Sequence, residues 1–346
     1  MKNNTVLKII FNILLMLLMI GVVVYVIDNS LGDIIAQLLE TSLLVAVLVV
    51  GLGVVYQMVE GRSIREIAVN FQPKFTSKDG FFASCYVAFY RIISFGTGTL
   101  VSEVLFYRKK GLAVSQGMGV TALHMIMYKL AVVFWAVIGL IFQFSYLYTH
   151  SPKMIPFIVI GMIITFVIIF VIMVLSVSIK LQVVLTVWAS KHIKRQKLRD
   201  WVDKCNLQIY SLRDTMQTIV KDRSAVLRIF VWNAAKVFIW LVIPYVALVE
   251  AHPLIDFIQT WAFTSFAIVL SGVIPTPAGI GSFEFVYLLL FKPLVGTVDA
   301  VSSLLLYRFS SFVLPFLLGM VYVIMEKRKK IKEEIIAVRD ESSSSE

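Results

Sequence analysis

The sequence predicts an all-α polytopic membrane protein with about six spanning helices and two opposed re-entrant helical hairpins that form an inverted repeat. Three observations predict this class. Of the 346 residues, 59% are hydrophobic and 15% are charged, whereas soluble domains are nearer half apolar and a quarter charged. Several apolar runs approach or exceed the roughly 20 residues that a bilayer helix needs. Two other apolar stretches are interrupted in the middle by glycine, threonine or proline.

The formal net charge of +11 is concentrated in short segments between the apolar runs. This is the arrangement of cytoplasmic loops in membrane proteins, and no nucleic-acid-binding motif occurs, so we expect no nucleic-acid partner. Cys85 and Cys205 lack the spacing of a metal site, and the histidines are scattered. We therefore expect no metal and no other cofactor.

The first two predicted spans are residues 7–27 and 34–59. The N-terminal residues carry two cations, whereas the connection between the spans carries two acids and no cation. Because cytoplasmic loops are enriched in Lys and Arg, the N-terminus is placed in the cytoplasm and residues 60–80 at the inner face. The first apolar run lacks a small-residue cleavage site, so we interpret it as a retained helix.

Residues 81–107 are long enough to cross, but the basic cluster Arg108-Lys109-Lys110 follows at once. A crossing would place this cluster and a later basic loop outside, against the distribution expected of Lys and Arg. Two glycines and two threonines also punctuate the stretch at residues 94–99. We predict a hairpin that enters from the cytoplasm, breaks at mid-depth and returns.

Two further spans are predicted at residues 114–142 and 154–180, joined by an external loop at 143–153. A basic inner loop, residues 181–224, follows them. Within it, apolar residues recur at helical spacing from Leu198 to Val220. This pattern predicts an amphipathic helix that either lies on the inner leaflet or packs on the protein's own loops.

The last two spans are predicted at residues 225–250 and 299–325. A basic cluster after residue 326 places the C-terminus inside. Residues 257–291 lie between these spans, are split by the sequence PTPAGIGS and must have both ends outside, so they form the second hairpin. The chain is thus a transmembrane domain at 1–326 followed by a charged, Ser-rich cytoplasmic tail at 327–346.

Inverted repeats with broken helices that meet at the bilayer midplane are a transporter architecture. Half-helix N-termini at such breaks present N–H groups and partial positive charge to an anion such as phosphate. Hydroxyl groups at the two breaks are candidate helix caps or headgroup ligands, namely Thr97, Thr99, Thr276 and Ser282. The sequence therefore predicts a lipid-headgroup site at the point where the hairpins meet.

Ionisable residues inside spans are costly in a bilayer and indicate function. The residues concerned are Arg91, Glu103, His124, Lys129, Lys236, Glu284 and Arg308. Four Lys or Arg against two acids predict a net positive interior, which favours an anionic headgroup. The alternative is that Arg91–Glu103 and Glu284–Arg308 are internal ion pairs that hold the hairpins.

Two segments resemble motifs of a known family. Gly111-Leu112, after a basic cluster and a hairpin with Gly, Ser and Glu, resembles its first conserved region, and residues 275–284 resemble its second. This family is the transmembrane flippase domain of the lysylphosphatidylglycerol synthases, which includes multiple peptide resistance factor and YbhN-like proteins. The resemblance spans residues 7–327, and Glu103, Arg108 and Glu284 are the matching charged positions.

The resemblance implies translocation of a phospholipid, such as aminoacylated phosphatidylglycerol or a related glycolipid, across the bacterial cytoplasmic membrane. It also implies resistance to cationic antimicrobial peptides or a role in envelope lipid biogenesis. The lysyltransferase domain of the family has no counterpart in this sequence, so we expect no enzymatic activity. His124 and Lys129 stand where the family pattern predicts an acid or an arginine pair, which leaves the identity of the lipid open.

Several alternatives remain open at the level of sequence. The chain could be a non-transporting membrane partner of a separate lipid synthase or glycosyltransferase, or a polyprenyl-phosphate translocase. A membrane enzyme that acts on lipid phosphates is disfavoured because no acid–base group converges, and a DedA-like fold is the nearest architectural rival. Anionic membrane lipids are the expected partners, and a homo-oligomer is compatible with the sequence.

Overall fold

The computed structural model describes residues 41–94, 98–177, 184, 187, 196–219, 222–274 and 281–343. Within these ranges the chain is helical and contains no strand. The helices are α1 Leu43–Ala68, α2 Ser77–Ile93, α3 Thr99–Lys109, α4 Val114–His150, α5 Met154–Val177, α6 Gln196–Ile219, α7 Arg223–Leu248, α8 Phe257–Val273, α9 Ser282–Arg308 and α10 Leu314–Ser343. A π-helical turn, Phe309–Val313, joins α9 to α10.

Five segments of the described chain are long and apolar enough to cross a membrane. They are Leu43–Ala68, Val114–His150, Met154–Val174, Arg223–Leu248 and Ser282–Lys329. The prediction of an all-α membrane protein is therefore confirmed. The predicted span at residues 7–27 lies outside the described residues. Helices α2, α3 and α8, with 17, 11 and 17 residues, are shorter than the roughly 20 residues of a usual spanning helix.

Three helices run past the ends that hydropathy predicts. Helix α1 continues to Ala68, α4 continues to His150, and α10 continues to Ser343. The predicted length of the external loop, residues 143–153, is wrong for this reason. Only three residues separate α4 from α5. Hydropathy marks the apolar part of a helix, whereas polar turns stay helical where their side chains find partners. Glu60, which the sequence analysis assigned to an inner loop, lies inside α1.

Helices α2 and α3 form a hairpin around residues 94–98. The side chain of Thr76 caps α2 in a reciprocal pair with Asp79, and Lys110 Nζ, at the end of α3, lies 2.7 Å from Asp79 Oδ1. At the break, the backbone N–H of Gly98 donates to Ser94 Oγ at 2.8 Å. The end of α3 therefore lies close to the start of α2.

A second hairpin is formed by α8 and the first half of α9. Asp256 caps α8, and α9 starts after Gly281, which has a φ of 94°. A left-handed φ of 79° at Gly296 then interrupts α9. Gln259 near the start of α8 lines the same surface cavity as Val295, so both limbs end at one level. The break of this hairpin, including Thr276, lies outside the described residues, as does Thr97 of the first.

The two hairpins belong to stretches that repeat at an offset of 180 residues. Helices α1 and α7 both have 26 residues, and α2 and α8 both have 17. The connections between them are equally long and carry Pro73 and Pro253 at the same position. Their backbone hydrogen bonds also correspond, since Phe75 N donates to Gln72 O and Ile255 N donates to His252 O, both at 2.9 Å. The described chain therefore contains an internal structural repeat.

Helices α1 and α7 pack side by side and antiparallel. Ser42 Oγ donates to Glu250 Oε2 at 2.6 Å at one end, and Glu66 lies 3.6 Å from Arg228 at the other. Midway, the rings of Tyr56 and Trp240 stack with centroids 4.3 Å apart, and Glu60 pairs with Lys236. In the repeat Tyr56 corresponds to Lys236 and Glu60 to Trp240. The two central contacts therefore exchange with each other when residues are compared at the 180-residue offset.

Small residues allow the helices to approach closely. A Cβ at Gly80 on α2 would lie 2.1 Å from the carbonyl oxygen of Gly61 on α1, so only glycine fits this crossing. Helix α6 packs on α4 in the same way, because a Cβ at Gly119 would lie 1.9 Å from Thr215 Oγ1. The helix predicted in the basic loop is confirmed as α6. Its contact with Gly119 favours packing on the protein itself, although the partner is helix α4 and not a loop.

Candidate functional site: a mixed-charge cavity at the first hairpin

A cavity of about 260 Å³ lies between α1, the first hairpin, α4 and α7. Charged and polar side chains form part of its lining, together with apolar side chains such as Val87 and Met125. The polar lining residues are Tyr56, Gln57, Glu60, Ser84, Arg91, Thr99, Glu103, Thr121, His124, Tyr128, Lys236, Trp240 and Ser311. The cavity reaches the break of the first hairpin, because Arg91 precedes that break and Thr99 follows it.

Helical spacing directs these side chains into the cavity. Tyr56 and Glu60 are four residues apart on α1, as are Lys236 and Trp240 on α7. Residues four apart share one face of a helix, so each helix presents a polar pair to the same space. Each pair lies in the middle of its helix, and the cavity is therefore at the depth where α1 and α7 cross.

Three ionisable groups meet on one side of the cavity. Lys236 Nζ donates to Glu60 Oε2 and lies 2.9 Å from His124 Nε2. His124 Nε2 is also 3.4 Å from Glu60 Oε2. The Lys236 side chain is 1% exposed, and a buried ammonium group is tolerated only with partners of this kind. The cluster of Glu60, His124 and Lys236 joins α1, α4 and α7.

Arg91 and Glu103 come from the two limbs of the first hairpin. Glu103 Oε1 accepts a hydrogen bond from the hydroxyl of Tyr107 at 2.9 Å. Within the described residues neither Arg91 nor Glu103 forms an ion pair. The ion pair between them that the sequence offered as an alternative is therefore absent from this part of the chain. In the described part of the chain the cavity therefore has one cation and one carboxyl group outside the ion pairs between charged side chains.

The other predicted pair forms at the second hairpin. Arg308 Nε donates to Glu284 Oε1 at 2.6 Å, and Glu284 Oε2 accepts from the N–H of Gly281 at 2.7 Å. The guanidinium group also lies 4.7 Å from the centroid of the Phe283 ring. The structure thus shows the internal Glu284–Arg308 ion pair, which the sequence left open as the alternative to headgroup binding. Together with the buried Ser282, the pair fixes the first turn of α9, away from the cavity lining.

Two other predicted residues lie apart from the cavity. The Lys129 ammonium group approaches α8, where a Cβ at Gly272 would lie 2.9 Å from Nζ, and forms no ion pair with a described residue. Arg108 is exposed at the C-terminal end of α3. The structure thus brings Arg91, Thr99, Glu103 and Lys236 together, and places Ser282, Glu284 and Arg308 in a second group.

The prediction of a net positive interior is wrong for this cavity. The prediction counted two acids and omitted Glu60, because the apolar run ends the predicted second span at residue 59. Two carboxyl groups, Glu60 and Glu103, face two cations, Arg91 and Lys236, in the same lining. These four described groups provide two charges of each sign, so the cavity suits a group that carries both signs of charge.

Glu60 is the main residue that the sequence analysis missed. Its signal was present, because it lies one helical turn after Tyr56 and 180 residues before Trp240. His124 was noted as an intramembrane ionisable residue but not assigned to the site. The aromatic residues were also missed: Trp240 is 6.3 Å from Tyr307, whose ring stacks on Phe283 at 4.9 Å. These rings link the cavity to the Glu284–Arg308 pair.

The family model described as the lysylphosphatidylglycerol synthase TM region matches residues 9–319. No curated protein matches the chain significantly. The family match covers both hairpins, the helices around the cavity and the second charged group. It agrees with the resemblance carried by Gly111-Leu112 and residues 275–284. The chain belongs to the family of lysylphosphatidylglycerol synthase transmembrane regions.

Proposed function

We propose that this protein moves a phospholipid between the leaflets of the bacterial cytoplasmic membrane and that the headgroup passes through the mixed-charge cavity. The observation that carries the proposal is a cavity with charged and polar side chains in its lining, at the break of a hairpin whose limbs are shorter than a usual spanning helix. Irregular backbone at membrane depth is tolerated only where it is buried in protein or lines a water-filled space. Such a space provides a polar path for a headgroup, while the acyl chains remain in lipid.

The proposal includes two re-entrant hairpins that enter from opposite faces of the membrane. The 180-residue repeat and the antiparallel packing of α1 against α7 support it, because equivalent connections then lie at opposite ends of the molecule. With the predicted span at residues 7–27, the chain crosses six times. The excess of Lys and Arg in the segments assigned to the inside places both termini in the cytoplasm.

The headgroup contacts follow from the charges in the cavity. Arg91, without an ion pair among the described residues, provides a planar donor for a phosphate group. The N-terminus of α3, where Gly98 supplies no side-chain cap, adds backbone N–H groups and partial positive charge. Glu103 provides an acceptor for an amine. The site therefore fits a phospholipid with both phosphate and ammonium groups, such as an aminoacylated phosphatidylglycerol.

In this proposal the protein is a transporter and not an enzyme. Moving an amine-bearing lipid to the outer leaflet reduces negative surface charge there and weakens the attraction of cationic antimicrobial peptides. A polyprenyl phosphate would use Arg91 but bring no amine to the buried Glu103 carboxyl group, so the cavity favours the amine-bearing lipid. A role as a docking partner for a separate lipid-modifying enzyme would not require a polar cavity at the hairpin break.

Reconstitution in vesicles tests the proposal. Lipids labelled on an acyl chain are placed in both leaflets, and dithionite is added outside to bleach the outer label. We expect the protected inner fraction to be lost in vesicles with protein and kept in protein-free vesicles, and we expect faster loss for an amine-bearing phospholipid than for phosphatidylglycerol. Equal protection with and without protein would contradict the proposed function. A stable complex with a lipid synthase, together with no lipid movement, would support the docking alternative.

A further inference from the structure

We infer that three arginines at neighbouring ends of α1 and α7 bind the phosphodiester group of an anionic phospholipid, at a site separate from the cavity. This arginine cluster consists of Arg62 and Arg65 on α1, Arg228 on α7 and the carboxylate of Glu66 between them. None of the four residues belongs to the described lining of the cavity. The inference requires that the chain lies in a membrane, and it does not depend on lipid movement.

The arginine cluster lies where two spanning helices end. Arg62 and Arg65 are in the last two turns of α1, and Arg228 is in the second turn of α7. Both helices are long and apolar enough to cross a membrane. A helix of 26 residues is about 39 Å long, close to the roughly 40 Å of a bilayer with its headgroups. The ends of α1 and α7 therefore lie near the level of the lipid phosphates.

One carboxylate faces all three guanidinium groups. The side chain of Glu66 is 9% exposed, and its Oε1 atom lies 3.1 Å from Arg62 Nε and 3.3 Å from Arg65 Nη1. Its Oε2 atom lies 3.6 Å from Arg228 Nε. Asp222 Oδ2, on a side chain that is 58% exposed, lies 3.6 Å from Arg228 Nη2. Three cations against these two acids leave one positive charge in excess, and a phosphodiester carries one negative charge.

Arg228 keeps N–H donors for such a ligand. A guanidinium group has five N–H donors. The contacts of Arg228 with Glu66 and Asp222, both at 3.6 Å, are too long for hydrogen bonds, whereas its Nη1 atom donates to Ser224 Oγ. The side chain is 52% exposed. Because a planar guanidinium group can donate two parallel hydrogen bonds to a phosphate, Arg228 is the main expected contact.

Exposed apolar side chains adjoin the arginine cluster. Leu227 and Val231, on either side of Arg228 in the sequence, are both exposed on α7. In a spanning helix such side chains contact lipid tails. An acyl chain can pack on them while its phosphate contacts Arg228, and a soluble anion would make no use of this apolar surface. The arrangement therefore favours a phospholipid over free phosphate.

The arginine cluster and the cavity differ in the headgroup that they suit. The cavity lining provides two charges of each sign, whereas the arginine cluster has an excess of cations. The ammonium group of an amine-bearing lipid would be repelled by the arginines. We therefore expect phosphatidylglycerol to bind here more tightly than phosphatidylethanolamine. The bound lipid would join α1 to α7 and stabilise their packing.

Native mass spectrometry of the whole protein in detergent, titrated with one phospholipid at a time, tests this site. For wild type we expect tighter binding of phosphatidylglycerol than of phosphatidylethanolamine. Arg228→Gln should weaken the binding of phosphatidylglycerol about fivefold, the contribution of one arginine near a membrane surface. Glu66→Gln should strengthen it, because this change removes an acid that competes with the phosphate for the arginines.

Lys327→Gln is the matched control for Arg228→Gln. Lys327 is an exposed cation on α10 and forms no ion pair with a described residue. This variant should change the affinity less than about twofold. If Glu66→Gln does not fold, the difference between Arg228→Gln and Lys327→Gln decides.

Equal binding of the two phospholipids by wild type overturns the inference, and so does a loss in Arg228→Gln that is no larger than in Lys327→Gln. Inorganic phosphate provides the second arm of the test. If it raises the unfolding temperature as much as an equal concentration of phosphatidylglycerol does, the site takes a soluble anion and the assignment to a lipid is wrong. These results concern binding alone, so they leave the proposed movement of lipid to the dithionite assay.

Discussion

Lys236→Met is expected to lower the free energy of unfolding by about 3–5 kcal/mol, the usual cost of breaking a buried ion pair from one side. Lys236 is 1% exposed and Glu60 14% exposed, so the variant leaves a carboxylate with little access to water. His124 remains as its only close partner in the cluster. Chemical or thermal unfolding in detergent, followed by loss of helical circular dichroism, measures the change.

The double variant Glu60→Gln/Lys236→Met should recover most of the lost stability, because it removes both charges. Lys109→Met is the control for the loss of an ion pair at the surface. Lys109 and its partner Glu326 are 48% and 34% exposed, and such a pair contributes at most about 1 kcal/mol. Equal destabilisation by Lys109→Met and Lys236→Met would contradict the burial of the cluster.

Arg91→Ala is expected to slow lipid movement roughly 10- to 150-fold. A hydrogen bond to a charged group contributes about 1.5–3 kcal/mol, and each 1.36 kcal/mol is about a factor of ten in rate. Among the described lining residues, the other Lys or Arg is Lys236, which is held by Glu60. Initial rates in the dithionite assay measure the effect at equal protein content.

Arg108→Ala is the matched control for Arg91→Ala. Both arginines belong to the first hairpin, but Arg108 is exposed at the end of α3 and does not line the cavity. We expect Arg108→Ala to change the rate of lipid movement by less than about threefold, because an exposed charge contributes little. A large loss in Arg108→Ala with none in Arg91→Ala would contradict this site and support the family-based assignment of Arg108.

Charge and backbone signals agreed on a bend in the first hairpin. A basic cluster directly after an apolar stretch and two glycines in its middle predicted it, and the structure has α2 and α3 side by side around this point. The ion pair between Glu284 and Arg308 was one of two interpretations that the sequence left open. The repeat was not visible because equivalent positions have unlike side chains, such as Tyr56 and Lys236. The signal of the repeat lay in the equal helix lengths and in the matching positions of Pro73 and Pro253. An alignment of the chain with itself at an offset of 180 residues would detect the two prolines.

The charge balance of the cavity was not predictable from apolar runs. Glu60 directly follows such a run, and a helix that is extended by polar residues has no hydropathy signal for its end. Its partner is 176 residues away. The packing of α1 on α7 determines that Lys236 pairs with Glu60 rather than with Glu103, and this packing depends on helix crossings at residues such as Gly61 and Gly80.

The opposite entry of the two hairpins is the central claim, and cysteine labelling tests it most directly. Lys74 and Leu254 occupy equivalent positions in the two connections that precede the hairpins, and both are exposed, Leu254 by 99%. In a background with Cys85 and Cys205 replaced by serine, a membrane-impermeant maleimide is applied to intact and to permeabilised cells. We predict that Leu254→Cys is labelled in intact cells and that Lys74→Cys is labelled only after permeabilisation. Labelling of both positions from the same side would contradict the account.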